Sequence, residues 1–122
     1  MRGGPSSEYY VSLKTGASII GNMPEGFEPV DVFVDDRGAW HRDGIERRPV
    51  DIFNSVDAVW NAMHGEYGED GTVQKLFEDL QTRYTGSSSV PSAVAMNKVL
   101  SKRIAQGLGI KTPKSLLTRT LD

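Results

Sequence analysis

The chain has 122 residues, with 14 basic against 16 acidic side chains and a formal net charge of −2. That length suits one domain of about 100–150 residues, long enough to bury a core of its own. The balanced charge argues against a nucleic-acid partner, the lack of cysteine excludes disulfides and thiolate metal sites, and no apolar run approaches the roughly 20 residues of a membrane span. A cytoplasmic domain without a membrane contact is expected.

The first eight residues are loop chemistry, with glycines and a proline and no strand ahead of them. Leu13, Ala17 and Ile20 then recur at helical spacing, with Ser12 or a neighbour as cap and Asn22 and Pro24 ending the helix near Met23. Val30, Val32 and Val34 alternate with Asp31 and Phe33, predicting a strand over Pro29 to Val34. Turn signals at Asp36-Arg37-Gly38 and Arg42-Asp43-Gly44 flank Ala39-Trp40-His41. A small hairpin returning through Ile45 and Glu46 is the simplest account. His41 reads as a surface histidine, because nothing pairs with it at metal-ligand spacing. Arg47, Arg48 and Asp51 read as a solvated connection. Asp57 to Met63 is predicted as a second strand, apolar enough to be buried on both faces.

The run His64-Gly65-Glu66-Tyr67-Gly68-Glu69-Asp70-Gly71 follows that strand and precedes the helical stripe Val73, Leu76, Phe77 and Leu80. A strand, a glycine-rich loop and a helix start together form the layout in which α/β proteins build sites, because the helix start offers N–H groups and a positive dipole end. One imidazole and three carboxylates fall within it. The plainer account makes Asp70 an N-cap and Glu69 a partner of the helix dipole. The helix should run from about Thr72 to Gln81, followed by a short strand at Arg83-Tyr84-Thr85 and a serine loop without a P-loop pattern. A long helix over Pro91 to Gln106 should bury Ala93, Met96, Leu100 and Ile104. Lys98 and Lys102 would project from its other side, on spacing alone a solvated face.

Three of these stretches resemble a known family. His64-Gly-x-x-Gly-Glu-Asp-Gly-Thr-x-Gln74 is similar to the signature in the amino-terminal domain of D-alanine–D-alanine ligases, the ATP-grasp enzymes that make the peptidoglycan dipeptide. The stretch from Gly3 to Gly16 resembles a second signature of that family and keeps Glu8 and Ser12 in register. Tyr9 and Tyr10 stand there for arginine and glutamate, and Thr15 for serine. The stretch from Tyr84 to Lys102 resembles a third, with Asn97 where aspartate is usual.

The resemblance implies an α/β fold, a three-layer, Rossmann-like pre-ATP-grasp domain with a small parallel sheet over 1–111. Residues 112–122 would begin the ATP-grasp domain, with Ser115 to Thr120 as its first strand. It implies a ligase that joins two D-alanines through an acyl phosphate, with ATP and Mg²⁺ used by the whole enzyme and none bound by this stretch alone. It also implies a homodimer. Glu8 and His64 would be catalytic. Glu8, Ser12, His64 and Glu69 would bind the first D-alanine, Lys98 would reach the nucleotide phosphates, and no residue would ligate metal. A stand-alone amino-acid-binding or dimerising module is the alternative.

In the fold so implied, an apolar strand leads directly into Gly3-Gly4 and lies between the other two strands. Only Met1 and Arg2 are available for it, and two residues span at most about 7 Å, short of an ordinary strand of about 5–6 residues. The expectation is a missing first strand, with Met1 not the natural start and a Val/Ile/Leu-rich strand upstream.

Overall fold

The computed structural model of the chain describes residues 1–118. Its amino end lies inside the fold. Arg2–Gly3 forms β1, which pairs in parallel with β2, Val32–Val34. On its other side the Met1 ammonium donates to the Trp60 carbonyl at 2.9 Å, and the Ala62 N–H donates to the Met1 carbonyl at 3.0 Å. The place expected to lack a strand is thus filled by a two-residue one.

Beyond β2 the chain makes the expected hairpin. β3, Trp40–Arg42, runs antiparallel to β2, and β4, Ile45–Glu46, antiparallel to β3. The class is α/β as expected, but the sheet, in the order β1-β2-β3-β4, is mixed rather than parallel. The reason is local. A parallel return needs a crossover of a dozen or more residues, whereas tight turns can only make antiparallel pairs. Asp35 builds the first turn by accepting the N–H groups of Arg37 and Ala39 at 2.9 and 2.8 Å. Asp43 and Gly44 form the second with φ of 52° and 78°, the paired positive values of a tight hairpin. His41 is only half exposed, its ring lying 5.0 Å from that of Phe33.

The helix α1, Tyr9–Gly21, starts earlier than its apolar residues suggested, with Glu8 rather than Ser12 at the N-cap. Its inner face is Ser12 and Gly16, both buried. A Cβ on Gly16 would come within 2.6 Å of the Arg2 side chain, so α1 can lie directly on β1 only without one. Arg2 then reaches Asp31 through two hydrogen bonds, at 2.9 and 2.6 Å.

The predicted strand over Asp57 to Met63 reduces to one parallel bridge, Val59 with Tyr84, and the short strand at residues 83–85 reduces with it. Nor is it buried on both faces, since Trp60 is 55% exposed. Backbone groups that a ladder would use go elsewhere, to Met1 and to the Asn61 side chain, which accepts the Met63 N–H at 3.1 Å. The supposed connection after β4 contains a helix, α2, Pro49–Phe53, which starts on its proline and buries Ile52 and Phe53. The stripe predicted after the loop holds in α3, Thr72–Asp79, where Val73 and Phe77 are fully buried.

The long helix breaks in two: α4, Ser89–Met96, and α5, Lys98–Gly107. The Asn97 side chain accepts the N–H groups of Val99 and Leu100 at 3.1 and 3.0 Å, capping a new helix where the old one stops. The apolar side expected to be buried is open: Met96, Leu100 and Ile104 are 39%, 40% and 46% exposed, and Ala93 is exposed as well. Residues 110–118 carry no regular element, and the end of the strand predicted over Ser115 to Thr120, at Arg119 and Thr120, lies outside the described residues. The core gathers Val32, Val34, Trp40, Ile52, Phe53, Val59, Met63, Val73 and Phe77 between sheet and helices. Within it, Trp40, Phe53 and Phe77 meet edge to face at 5.4 and 5.3 Å.

Candidate functional site

Residues 64–71 do form a loop between an extended segment and the start of α3, and it is tied at every turn. The Gly65 N–H donates to Glu69 Oε2 at 2.7 Å, while the Glu69 N–H returns to the Gly65 carbonyl at 2.9 Å. Asp70 accepts the N–H groups of Tyr67 and Thr72, each at 2.9 Å. Burial alone would push the Asp70 carboxyl up, but these donors outweigh it and hold the group below its ordinary value. Gly71 is the N-cap, with φ of 94°, and a Cβ there would lie 2.4 Å from the Ser89 carbonyl oxygen. Only glycine fits.

Two features of this loop differ from expectation. The first two N–H groups of α3 are not free for a ligand, because Thr72 donates to Asp70 and Val73 to the Tyr67 carbonyl at 3.1 Å. Glu69 closes the loop onto Gly65 and acts on the loop's own backbone. The loop centre is gripped from beneath: the Asn61 and Gln74 side-chain amides both donate to the Gly68 carbonyl, at 2.9 and 2.8 Å.

Against this loop stands the start of α1. Glu8 is exposed at its N-cap. The Ser6 hydroxyl donates to the His64 carbonyl at 2.7 Å and accepts the Glu8 N–H at 3.2 Å, linking the two segments through one oxygen. The Cβ position of Gly65 is 3.5 Å from Glu8 Oε1 and 3.3 Å from Ser6 Oγ, so the carboxylate closes on the loop. His64 is half buried, and its Nε2 meets the Thr15 hydroxyl at 3.0 Å. Ser12 lies below, wholly buried, accepting the Gly3 N–H and donating to the Ala62 carbonyl, both at 2.8 Å. With its hydroxyl engaged at both ends, it supports the site from beneath.

Of the residues singled out from sequence, Glu8, Ser12, His64 and Glu69 therefore come together. Lys98 stands apart as the exposed first residue of α5, a helix that packs on α4. Sequence reasoning missed Ser6 and Thr15 as the groups that join the halves. The available signal was spacing, since Thr15 follows Ser12 by three residues and so shares its helix face. A groove of about 500 Å³ lined by Ser18, Ile19, Met23 and Trp60 lies at the far end of α1. None of the expected site residues lines it. What the Glu8 and His64 arrangement can do is present one negative charge and one imidazole to a small ligand carrying an ammonium group.

The chain resembles known proteins along most of its length. Residues 46–87 match the family model described as D-ala D-ala ligase N-terminus. The chain is 42% identical over 114 residues to the D-alanine–D-alanine ligase of Aquifex aeolicus, covering 93% of this chain and 36% of that protein. It is 38% identical over 116 residues to the ligase of Fusobacterium nucleatum, covering 93% and 37%. Among solved structures, the D-alanine–D-alanine ligase from Aeromonas hydrophila superimposes with a TM-score of 0.82 at 29% identity, over 99% of this chain and 50% of that one. The VanG D-Ala:D-Ser ligase from Enterococcus faecalis does so with 0.78 at 25% identity, over 93% and 42%. This chain spans a little over a third of the length of the curated relatives it matches. Over nearly all of its length it is similar to part of these D-alanine–D-alanine ligases, and residues 46–87 to their amino-terminal family model.

Proposed function

We propose that this chain is the amino-terminal domain of a D-alanine–D-alanine ligase and that it holds the first D-alanine. The observation that carries the reading is the closure of Glu8 on the loop at Gly65, 3.5 Å from its Cβ position, from a segment 57 residues away in sequence. In such a ligase the carboxylate of the first D-alanine takes the γ-phosphoryl group of ATP, giving an acyl phosphate. The amine of the second D-alanine attacks that carbonyl, and phosphate leaves. Glu8 pairs with the ammonium group of the first D-alanine and His64 orients it, which fixes the amino acid for reaction at its other end. Lys98 would approach the nucleotide phosphates once α5 is brought to them. Phosphoryl transfer of this kind uses Mg²⁺. No group of three His, Asp or Glu side chains suited to a metal occurs among the described residues, and no step through the ion is assigned to this chain. Among the described residues no helix is long and apolar enough to cross a membrane. Cytoplasmic work on a peptidoglycan precursor, as a homodimer, completes the reading by likeness to the family.

The test is titration of the ¹⁵N-labelled chain with D-alanine and with L-alanine, followed by NMR. Amide signals of Glu8, His64 and Gly65 should shift with D-alanine and much less with its enantiomer. Glu8→Gln should weaken the effect about tenfold, the ~1.4 kcal/mol that one exposed, charge-assisted contact can supply. Shifts that ignore the enantiomer, or that survive Glu8→Gln unchanged, would overturn it.

A further inference from the structure

The hydroxyls of Ser6, Ser12 and Thr15 face one short stretch, residues 62–64, and each does something different there. Ser12 takes the Ala62 carbonyl and Ser6 the His64 carbonyl, so the backbone on both sides of Met63 is fixed. What those two bonds leave open is rotation of the His64 side chain. Thr15 sets it. Its hydroxyl meets Nε2 at 3.0 Å, its one hydrogen bond among the described residues. The other ring nitrogen, Nδ1, has no partner among the described residues and is not among the buried unpaired polar atoms, so it faces solvent. Threonine is well suited to the task, because its branched Cβ restricts χ1 within a helix and holds the hydroxyl in few orientations.

We propose that Thr15 is a positioning residue for His64: by engaging Nε2 it locks the imidazole and makes Nδ1 the nitrogen offered to a ligand beside Glu8. The ligand side of this statement rests on the first-site reading above. The lock itself does not. A hydroxyl both donates and accepts, so this bond fixes the orientation of the ring, and with it the direction of Nδ1, in either tautomer. A histidine without such a partner samples several ring orientations.

The readout is the ordering of the His64 ring, from ¹³C relaxation at its Cδ2 and Cε1 positions in the 122-residue chain. His41, the other histidine, is the internal control. In the wild type the His64 ring should be as ordered as the backbone that carries it. Thr15→Val keeps the branched shape and removes the hydroxyl, and the order of the His64 ring should fall while that of His41 stays put. Thr15→Ser should restore it. A mobile ring in the wild type, or an unchanged one in Thr15→Val, overturns the proposal. Should Thr15→Val fail to fold, the wild type and Thr15→Ser still decide: an ordered ring in both supports the lock, and a mobile ring in either overturns it. No D-alanine is present, so failure here and failure of the first-site reading are distinguishable.

Discussion

The starts of α3 and α5 are each entered from a turn with its own cap, and they are held in opposite ways. At α3 the cap is Gly71, and three side chains around it turn inward onto the loop backbone: Asp70 on Tyr67 and Thr72, Glu69 on Gly65, Gln74 on Gly68. Below it Val73 and Phe77 are fully buried. At α5 the cap is the Asn97 side chain, and the helix that follows buries no residue at all. Both stretches carry residues singled out from the sequence, His64 and Lys98. Only the first is fixed by the chain around it. A residue seated in a closed hydrogen-bond network over a core arrives preorganised, whereas one on an uncovered helix depends on what packs there.

The sharpest way to break this contrast is to cut the core on one side only. Phe77→Ala should cost about 4 kcal/mol in urea unfolding, and Ile104→Ala on α5 under ~1 kcal/mol. Equal costs would mean that α5 is buried after all. Next comes Gly71→Ala. It combines a positive φ with a Cβ 2.4 Å from the Ser89 carbonyl oxygen and should destabilise by about 3 kcal/mol while loosening α4 from α3. Hydrogen exchange of the α4 amides would report it, and a melt unchanged from wild type would refute the close approach.

The amino end belongs to the tightly held side, and pH reads it out. Burial, only partly offset by Asp31, pushes the Met1 ammonium down from 8.0 to about 6. Between those values the unfolded chain binds more protons than the folded one, so stability should rise with pH from about 6 to 8. A full two-unit shift is worth about 2–3 kcal/mol. Urea midpoints across that range check it, and a flat profile would place the ammonium in water. The smallest effect lies on the open side. Asn97→Ala removes two cap bonds and should cost about 1 kcal/mol, read as lost helicity in α5 with the signals of residues 64–71 undisturbed.

Where sequence reasoning succeeded, local chemistry and global packing agree. Val73 and Phe77 form the buried line of the stripe predicted with Leu76 and Leu80, and the turn at Asp43 and Gly44 is the kind those residues prefer. Where it failed, a side chain did something periodicity does not encode. The spacing of Ala93, Met96, Leu100 and Ile104 runs straight through Asn97, yet the Asn97 amide stops one helix and starts another. Ser12 resembles a cap because serine is uncommon inside helices, but here it is the strut between Gly3 and Ala62. Of the candidate site, Glu8, Ser12, His64, Glu69 and the loop glycines were singled out from the sequence. Ser6 and Thr15 were not, because their work consists of contacts 58 and 49 residues away in sequence.

The seating of Met1 between β2 and residues 60–62 also governs the order of events when the chain is made. Met1 and its neighbours in β1 meet partners that are made later, the Trp60 carbonyl by 59 positions. At synthesis rates of about 5–20 residues per second, Met1 waits roughly 3–12 s for that partner to exist. Closing the sheet is therefore a late step, and α1 can form well before the surface it rests on is complete.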